Sequence, residues 1–132
     1  MKDKLDIRIY YEDTDCGGVV YYGKYLAFLE RARTEFLEHR GIKLQELMLE
    51  GLWFVVADVH IHYHKPAKYA DIITIYSEVA ETNFASVLFK HRIEHKETEA
   101  LIATAQVKLV TVGNDLRPKA MTARLSDTLR LF

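Results

Sequence analysis

From Leu52 onward the chain is written almost entirely in alternation. The run "LWFVVADVHIHYHK" ends at Pro66, and "DIITIYSEVAE", "FASVLFKHRIEHK" and "ALIATAQVKLVTV" are parted by the polar breaks "ETN", "KETE" and "GND". A period of two marks half-buried strands, and breaks this short imply antiparallel hairpins. Upstream, Leu5, Ile7, Ile9 and Tyr11 alternate with Asp6, Arg8, Tyr10 and Glu12 and predict a fifth strand. Between them Tyr22, Tyr25, Leu26, Leu29, Ala32, Phe36 and Leu37 fall at helical spacing, with Lys24, Arg31, Arg33 and Glu38 in the gaps. That spacing predicts an amphipathic helix of roughly 17 residues from about Tyr22, stopped at Gly41. "KLQELMLEG" reads as a short helix or a turn-rich connection, and "RLSDTLRLF" as a closing helix or a frayed tail. One long helix and one large antiparallel sheet must bury each other's apolar faces, so the expected fold class is a two-layer α+β domain. Such a sheet keeps a second face and open edges, which dimerisation covers most simply.

The 132 residues are expected to form one domain, 1–132, long enough to bury a core without staples. Net charge is −1, which gives no whole-protein attraction to nucleic acid or an acidic membrane. One cysteine makes no internal disulfide, and the charged start "MKDKLDIRIYYEDTD" lacks the apolar run of a signal peptide. No stretch approaches the ~20 apolar residues that span a bilayer. A cytoplasmic location is the expectation.

The densest chemistry lies in "EDTDCGGVVYYG", Glu12 through Gly23, which holds three carboxylates, the lone cysteine and three glycines. A calcium loop of EF-hand type fails. Counting from Asp13, glycine stands at the fifth position and Lys24 at the twelfth, where a bidentate glutamate is needed. A thiol site at Cys16 would need a histidine base and an electropositive setting, whereas Asp13 and Asp15 flank it. A carboxylate in a glycine loop just before a helix has better prospects. The helix start offers unpaired N–H groups to a carbonyl oxygen, and the carboxylate activates water or attacks the carbon itself. Acidic residues also line helix starts for structural reasons alone.

"YYEDTDCGGVVYYGKYLAFLERARTEFL" closely resembles the first strand, loop and helix of hotdog-fold acyl-CoA thioesterases. The branch is that of 4-hydroxybenzoyl-CoA thioesterase and the bacterial Tol-Pal-associated (YbgC-like) thioesterases. "YHKPAKYAD" is similar to that family's Tyr-x-x-Pro-Ala-x-x-x-Asp segment. The resemblance implies a hotdog fold, a five-stranded antiparallel sheet wrapped around one long helix, and hydrolysis of an acyl-CoA thioester to free acid and CoA. It implies that Asp15 is the catalytic carboxylate and that the backbone N–H of Tyr22, with Gly23, binds the thioester carbonyl. Gly17, Gly18 and Val19 match the loop that brings the acid to the helix. It implies no cofactor and no metal, and a homo-oligomer, dimer or homotetramer. Two positions depart from the branch: Tyr22 replaces its usual histidine and Lys24 its usual asparagine.

Asp13 and Glu12 are expected to hydrogen-bond the turn or to pair with Arg31 or Arg33, and the "ERAR" stretch to serve structure or an interface. His60, His62 and His64 share one strand face. The outer two stand roughly 13 Å apart along an extended strand, too far to share one ion, so they read as a polar face. His91 and His95 share a face in the same way. Lys65, Lys68, Lys90 and Arg92 are candidates for the phosphates of CoA, and the resemblance implies that Asn83 and Phe84 lie near the family's nucleotide contacts. A hydratase of the same fold would need a helix-start histidine, which is missing. The alternative is a non-catalytic or acyl-carrier-protein-directed hotdog partner of envelope or lipid machinery.

Overall fold

The computed structural model describes residues 3–130. Strand β1 is Asp3–Arg8, and a 3-10 turn over Tyr11–Asp13 follows it. Helices α1 (Lys24–Glu38) and α2 (Leu44–Leu49) come next. Strands β2 (Trp53–Tyr63), β3 (Ile72–Asn83), β4 (Ser86–His95) and β5 (Leu101–Val112) precede a final helix, α3 (Ala123–Arg130). The closing segment is therefore helical as far as Arg130, while 131 and 132 lie outside the described residues. The sheet order is β1-β3-β4-β5-β2, antiparallel throughout.

Register sorts the side chains into two faces. Ile75, Ile93, Ala103 and Tyr63 form one cross-strand row, and Val79, Phe89, Val107 and Val59 another. These rows face α1, whose Phe28, Leu29, Ala32 and Phe36 are buried. The Phe36 ring meets the Phe89 ring edge-on at 5.3 Å. Burying a side chain of that size stabilises by roughly 1.5–3 kcal/mol, so this seam holds helix and sheet together. The opposite face carries the polar rows Tyr76, Arg92, Thr104, His62 and Glu78, Lys90, Gln106, His60. The alternating pattern expected for the long strands separates core from outer face along β3, β4 and β5, whereas β2, at the sheet edge, leaves nine of its eleven residues exposed.

Helix α1 begins two residues later than its spacing predicts. Tyr21–Gly23 form a turn, closed by the Lys24 N–H on the Tyr21 carbonyl at 2.9 Å. Tyr22 and Leu26 are expected on the buried stripe, but Tyr22 lies in the turn ahead of the helix and both are exposed. The apolar stripe instead takes in Phe28, and Arg33 is buried with it. At the far end Gly41 (φ +81°) stops the helix as expected, with the Ile42 N–H on the Leu37 carbonyl and the Gly41 N–H on Glu38. The first strand is also shorter than its alternation: Tyr11 sits in the 3-10 turn and is 81% exposed.

Candidate active site

The acidic loop is a small hairpin of its own. Thr14 bridges Val20, the Asp15 N–H donates to the Val19 carbonyl (2.9 Å), and the Tyr21 N–H donates to the Asp13 carbonyl (2.9 Å). Gly18 (φ +81°) makes the tip, in a left-handed conformation that side chains resist. Asp15 therefore projects from the tip, and it is exposed. The Gly17 N–H donates to its Oδ1 at 2.7 Å. That bond tethers one carboxylate oxygen, and the second has no protein partner among the described residues.

Asp13 does different work. It is buried, accepts the Tyr10 N–H at 2.9 Å and pairs with Lys24 Nζ at 3.2 Å. The expected partners Arg31 and Arg33 do not reach it, because α1 turns them away while its first residue lies beside the loop. Lys24 thus staples the loop to the helix start.

The loop docks on the segment that links β2 to β3. Val19 bridges Lys68, and the Val20 N–H donates to the Ala67 carbonyl at 2.8 Å. The Ala67 N–H donates to the Tyr25 hydroxyl at 3.2 Å. The Asp71 carboxylate accepts the Lys68 N–H, and its carbonyl accepts the Ile9 N–H. "EDTDCGGVVYYG" and "YHKPAKYAD", far apart in sequence, are two sides of one structure.

The helix start presents two consecutive peptides in the same condition. The Tyr21 carbonyl accepts the Lys24 N–H, and the Tyr22 carbonyl accepts the Tyr63 hydroxyl at 3.0 Å. The N–H groups of those peptides, on Tyr22 and Gly23, find no acceptor among the described residues. A Cβ at position 23 would stand 2.8 Å from the Tyr21 ring, so a side chain there requires that ring to move. Beside this turn lies a cavity of about 280 Å³ lined by Val20, Tyr22, Tyr25, Tyr63, His64, Lys65 and Pro66. Burial, and then the Tyr22 phenol, push the Tyr63 phenol up from its ordinary value, so it is a hydrogen donor at neutral pH.

A family profile described as the thioesterase-like superfamily matches residues 10–129. The chain belongs to the thioesterase-like superfamily. Acyl-CoA thioester hydrolase YbgC of Escherichia coli O6:H1 is 41% identical over 116 residues, spanning 87% of this chain and 86% of its own. Acyl-CoA thioesterase YbgC of Haemophilus influenzae is 42% identical over 115 residues, 86% of this chain and 84% of its own. The crystal structure of a probable thioesterase from Bartonella henselae superposes with a TM-score of 0.87 at 31% identity, covering 92% of this chain and 100% of that one. The hotdog architecture and the YbgC-like resemblance read from the loop are those of this superfamily.

Around this thioesterase-like core the other expected residues divide. Lys65 borders the cavity and Lys68 the loop. Lys90 and Arg92 lie on the outer face, where Arg92 pairs with Glu94. They border a separate cavity of about 530 Å³ that contains neither the acidic loop nor the helix start. Asn83 and Phe84 sit at the β3–β4 turn, at the far end of β3 from Ile72 and roughly 35 Å along the strand from it. A single chain does not bring them to Asp15. His60 and His62 lie on the outer face as expected, with the His62 and His64 rings stacked at 4.3 Å. His91 lies on the inner face, hydrogen-bonded to Ser77 at 3.0 Å, and His95 meets Asp71 at 3.4 Å. Sequence reasoning missed Tyr63 and the Asp13–Lys24 pair. Each is a contact across more than ten residues or between two kinds of element, which periodicity does not encode.

Proposed function

We propose that this domain, 1–132, hydrolyses acyl-CoA thioesters to free acid and CoA, with Asp15 as the catalytic carboxylate. The observation that carries the reading is the helix start: two adjacent N–H groups, on Tyr22 and Gly23, left free beside a cavity and an acidic loop. A thioester carbonyl accepting from them has negative charge stabilised on its oxygen as the carbon is attacked. The free oxygen of Asp15 takes a proton from water, whose oxygen adds to the carbonyl carbon. The tetrahedral intermediate then expels the CoA thiolate and leaves the acid. The same geometry serves direct attack by Asp15, which forms a mixed anhydride that water opens. Single turnover in ¹⁸O water separates the two: general-base attack puts the label in the product acid, whereas opening of the anhydride at the Asp15 carbonyl puts it in the enzyme and leaves the first product unlabelled. Gly17, Gly18 and Val19 shape the loop, and Lys65 and Lys68, beside the cavity and the loop, would bind the phosphates of CoA.

The long apolar edge of β2 supports a homo-oligomer. Val55, Val56 and Val59 are exposed on an eleven-residue strand whose outer edge has no partner strand among the described residues. Such an edge favours pairing with a second copy, giving a dimer from which a homotetramer is built. Lys90, Arg92, Asn83 and Phe84 would join a CoA site only from another protomer. The cytoplasm, where acyl-CoA is made, is the proposed location; no helix among the described residues is long and apolar enough to cross a membrane.

The test is thiol release from short, long and 4-hydroxybenzoyl acyl-CoAs, run beside Asp15→Asn. The variant should lose about 10²–10⁴-fold in kcat with its fold intact. An unchanged rate would remove Asp15 from the mechanism. Release from none of the CoA esters, but from an acylated carrier protein, would move the substrate to that carrier.

A further inference from the structure

We propose that Tyr63 is a positioning residue for hydrolysis, its hydroxyl holding the Tyr22–Gly23 peptide so that the Gly23 N–H serves the thioester oxygen. This rests on the reading of the helix start as the oxyanion site.

In a regular helix the carbonyl of Tyr22 would accept the N–H of Leu26, four residues on. Here the Leu26 N–H goes to the Gly23 carbonyl at 3.3 Å. The Tyr22 carbonyl is released from the helix ladder, and the Tyr63 hydroxyl takes it at 3.0 Å. A bond to a peptide oxygen does two things. It fixes the plane of the peptide, which is rigid about its C–N bond, and so fixes the direction of the N–H on its other side. It also draws electron density toward the oxygen and strengthens that N–H as a donor. The neighbouring peptide gets the same help from the Lys24 N–H. The two free donors are thus backed by different means, one by the main chain and one by Tyr63.

Tyr63 is well held for this role. It is the last residue of β2, and its register partner is Ala103 on β5. Its ring lies 5.4 Å from the ring of Tyr25, which is itself buried and accepts the Ala67 N–H. Sheet, helix and docking segment therefore set the position of the hydroxyl before substrate arrives, as preorganised donors require.

Tyr63→Phe removes one oxygen and keeps the ring contact. It should lower kcat about 3–10-fold with KM and melting temperature nearly unchanged, the signature of a hydrogen bond felt in the transition state. In the slow Asp15→Asn background, the infrared carbonyl stretch of bound acyl-CoA should lie below its value in solution. Adding Tyr63→Phe should return it part of the way. An unchanged kcat, or a higher KM at constant kcat with an unmoved stretch, would show Tyr63 to be only a wall of the cavity. If Asp15→Asn is slow and Tyr63→Phe is not, this inference alone falls. If Asp15→Asn turns over at full rate, the site reading falls and takes the inference with it.

Discussion

Acidification from pH 7 to pH 5 should destabilise this protein through one buried ring. His91 is 4% exposed, lies between α1 and the sheet, and shares a hydrogen bond with Ser77. Burial, and then the nearby charge of Arg33, push its imidazole from the ordinary 6.5 down to about 3. Arg33 is itself buried and lowered by that burial to about 10, so it stays charged at neutral pH. Arg33 Nη1 and His91 Nε2 have no hydrogen-bond partner among the described residues. Two positive groups in that space would repel with little water to screen them. Between pH 3 and 6.5 the unfolded chain holds a proton on this ring and the folded chain does not. Stability therefore rises with pH across that window, is complete above it, and drains as the pH falls. Integrating the two titrations from pH 7 to 5 gives a loss of ~2 kcal/mol, with a limiting slope of ~1.4 kcal/mol per pH unit. The assay is urea unfolding at pH 7, 6 and 5, comparing the unchanged chain with His91→Gln. Every other titrating group is common to both, so the difference in slope isolates this ring. The variant should have the flatter profile, whatever its absolute stability. Parallel profiles would refute the argument.

Lys24→Met leaves the buried Asp13 carboxylate without its cation, and should cost ~1–3 kcal/mol in urea unfolding. Thioesterase activity should fall with it, because the same pair ties the loop to the helix start; unaltered stability would mean the pair is too well solvated to matter. Cys16→Ala should leave thiol release nearly unchanged, since the exposed sulfur has no base beside it among the described residues. A collapse comparable to that of Asp15→Asn would revive a thiol mechanism.

The elements were legible because each needs only neighbouring residues to announce itself. The period of two in Ile72–Asn83 and Leu101–Val112, and the helical period through Phe36, are local consequences of backbone geometry. The acidic loop was legible for a similar reason: a carboxylate, a glycine tip and a helix start lie within twelve residues. Asp13 and Asp15 could not be told apart by spacing. One is buried on Lys24 and the other exposed at the tip, and only the docking of the loop on Ala67 and Lys68 separates them.

The sequence by itself determined the two-layer class, the one long helix and the place of the chemistry, because apolar periodicity dictates which faces must be hidden. The tertiary structure alone decided that β1 lies beside β3 and β2 at the far edge, since strands of similar pattern pair equally well until a helix and a loop constrain them. It also turned Arg33 inward against His91 and set Tyr63 on the carbonyl of Tyr22, forty-one residues away. Those contacts depend on where whole elements come to rest, and no local pattern carries that information.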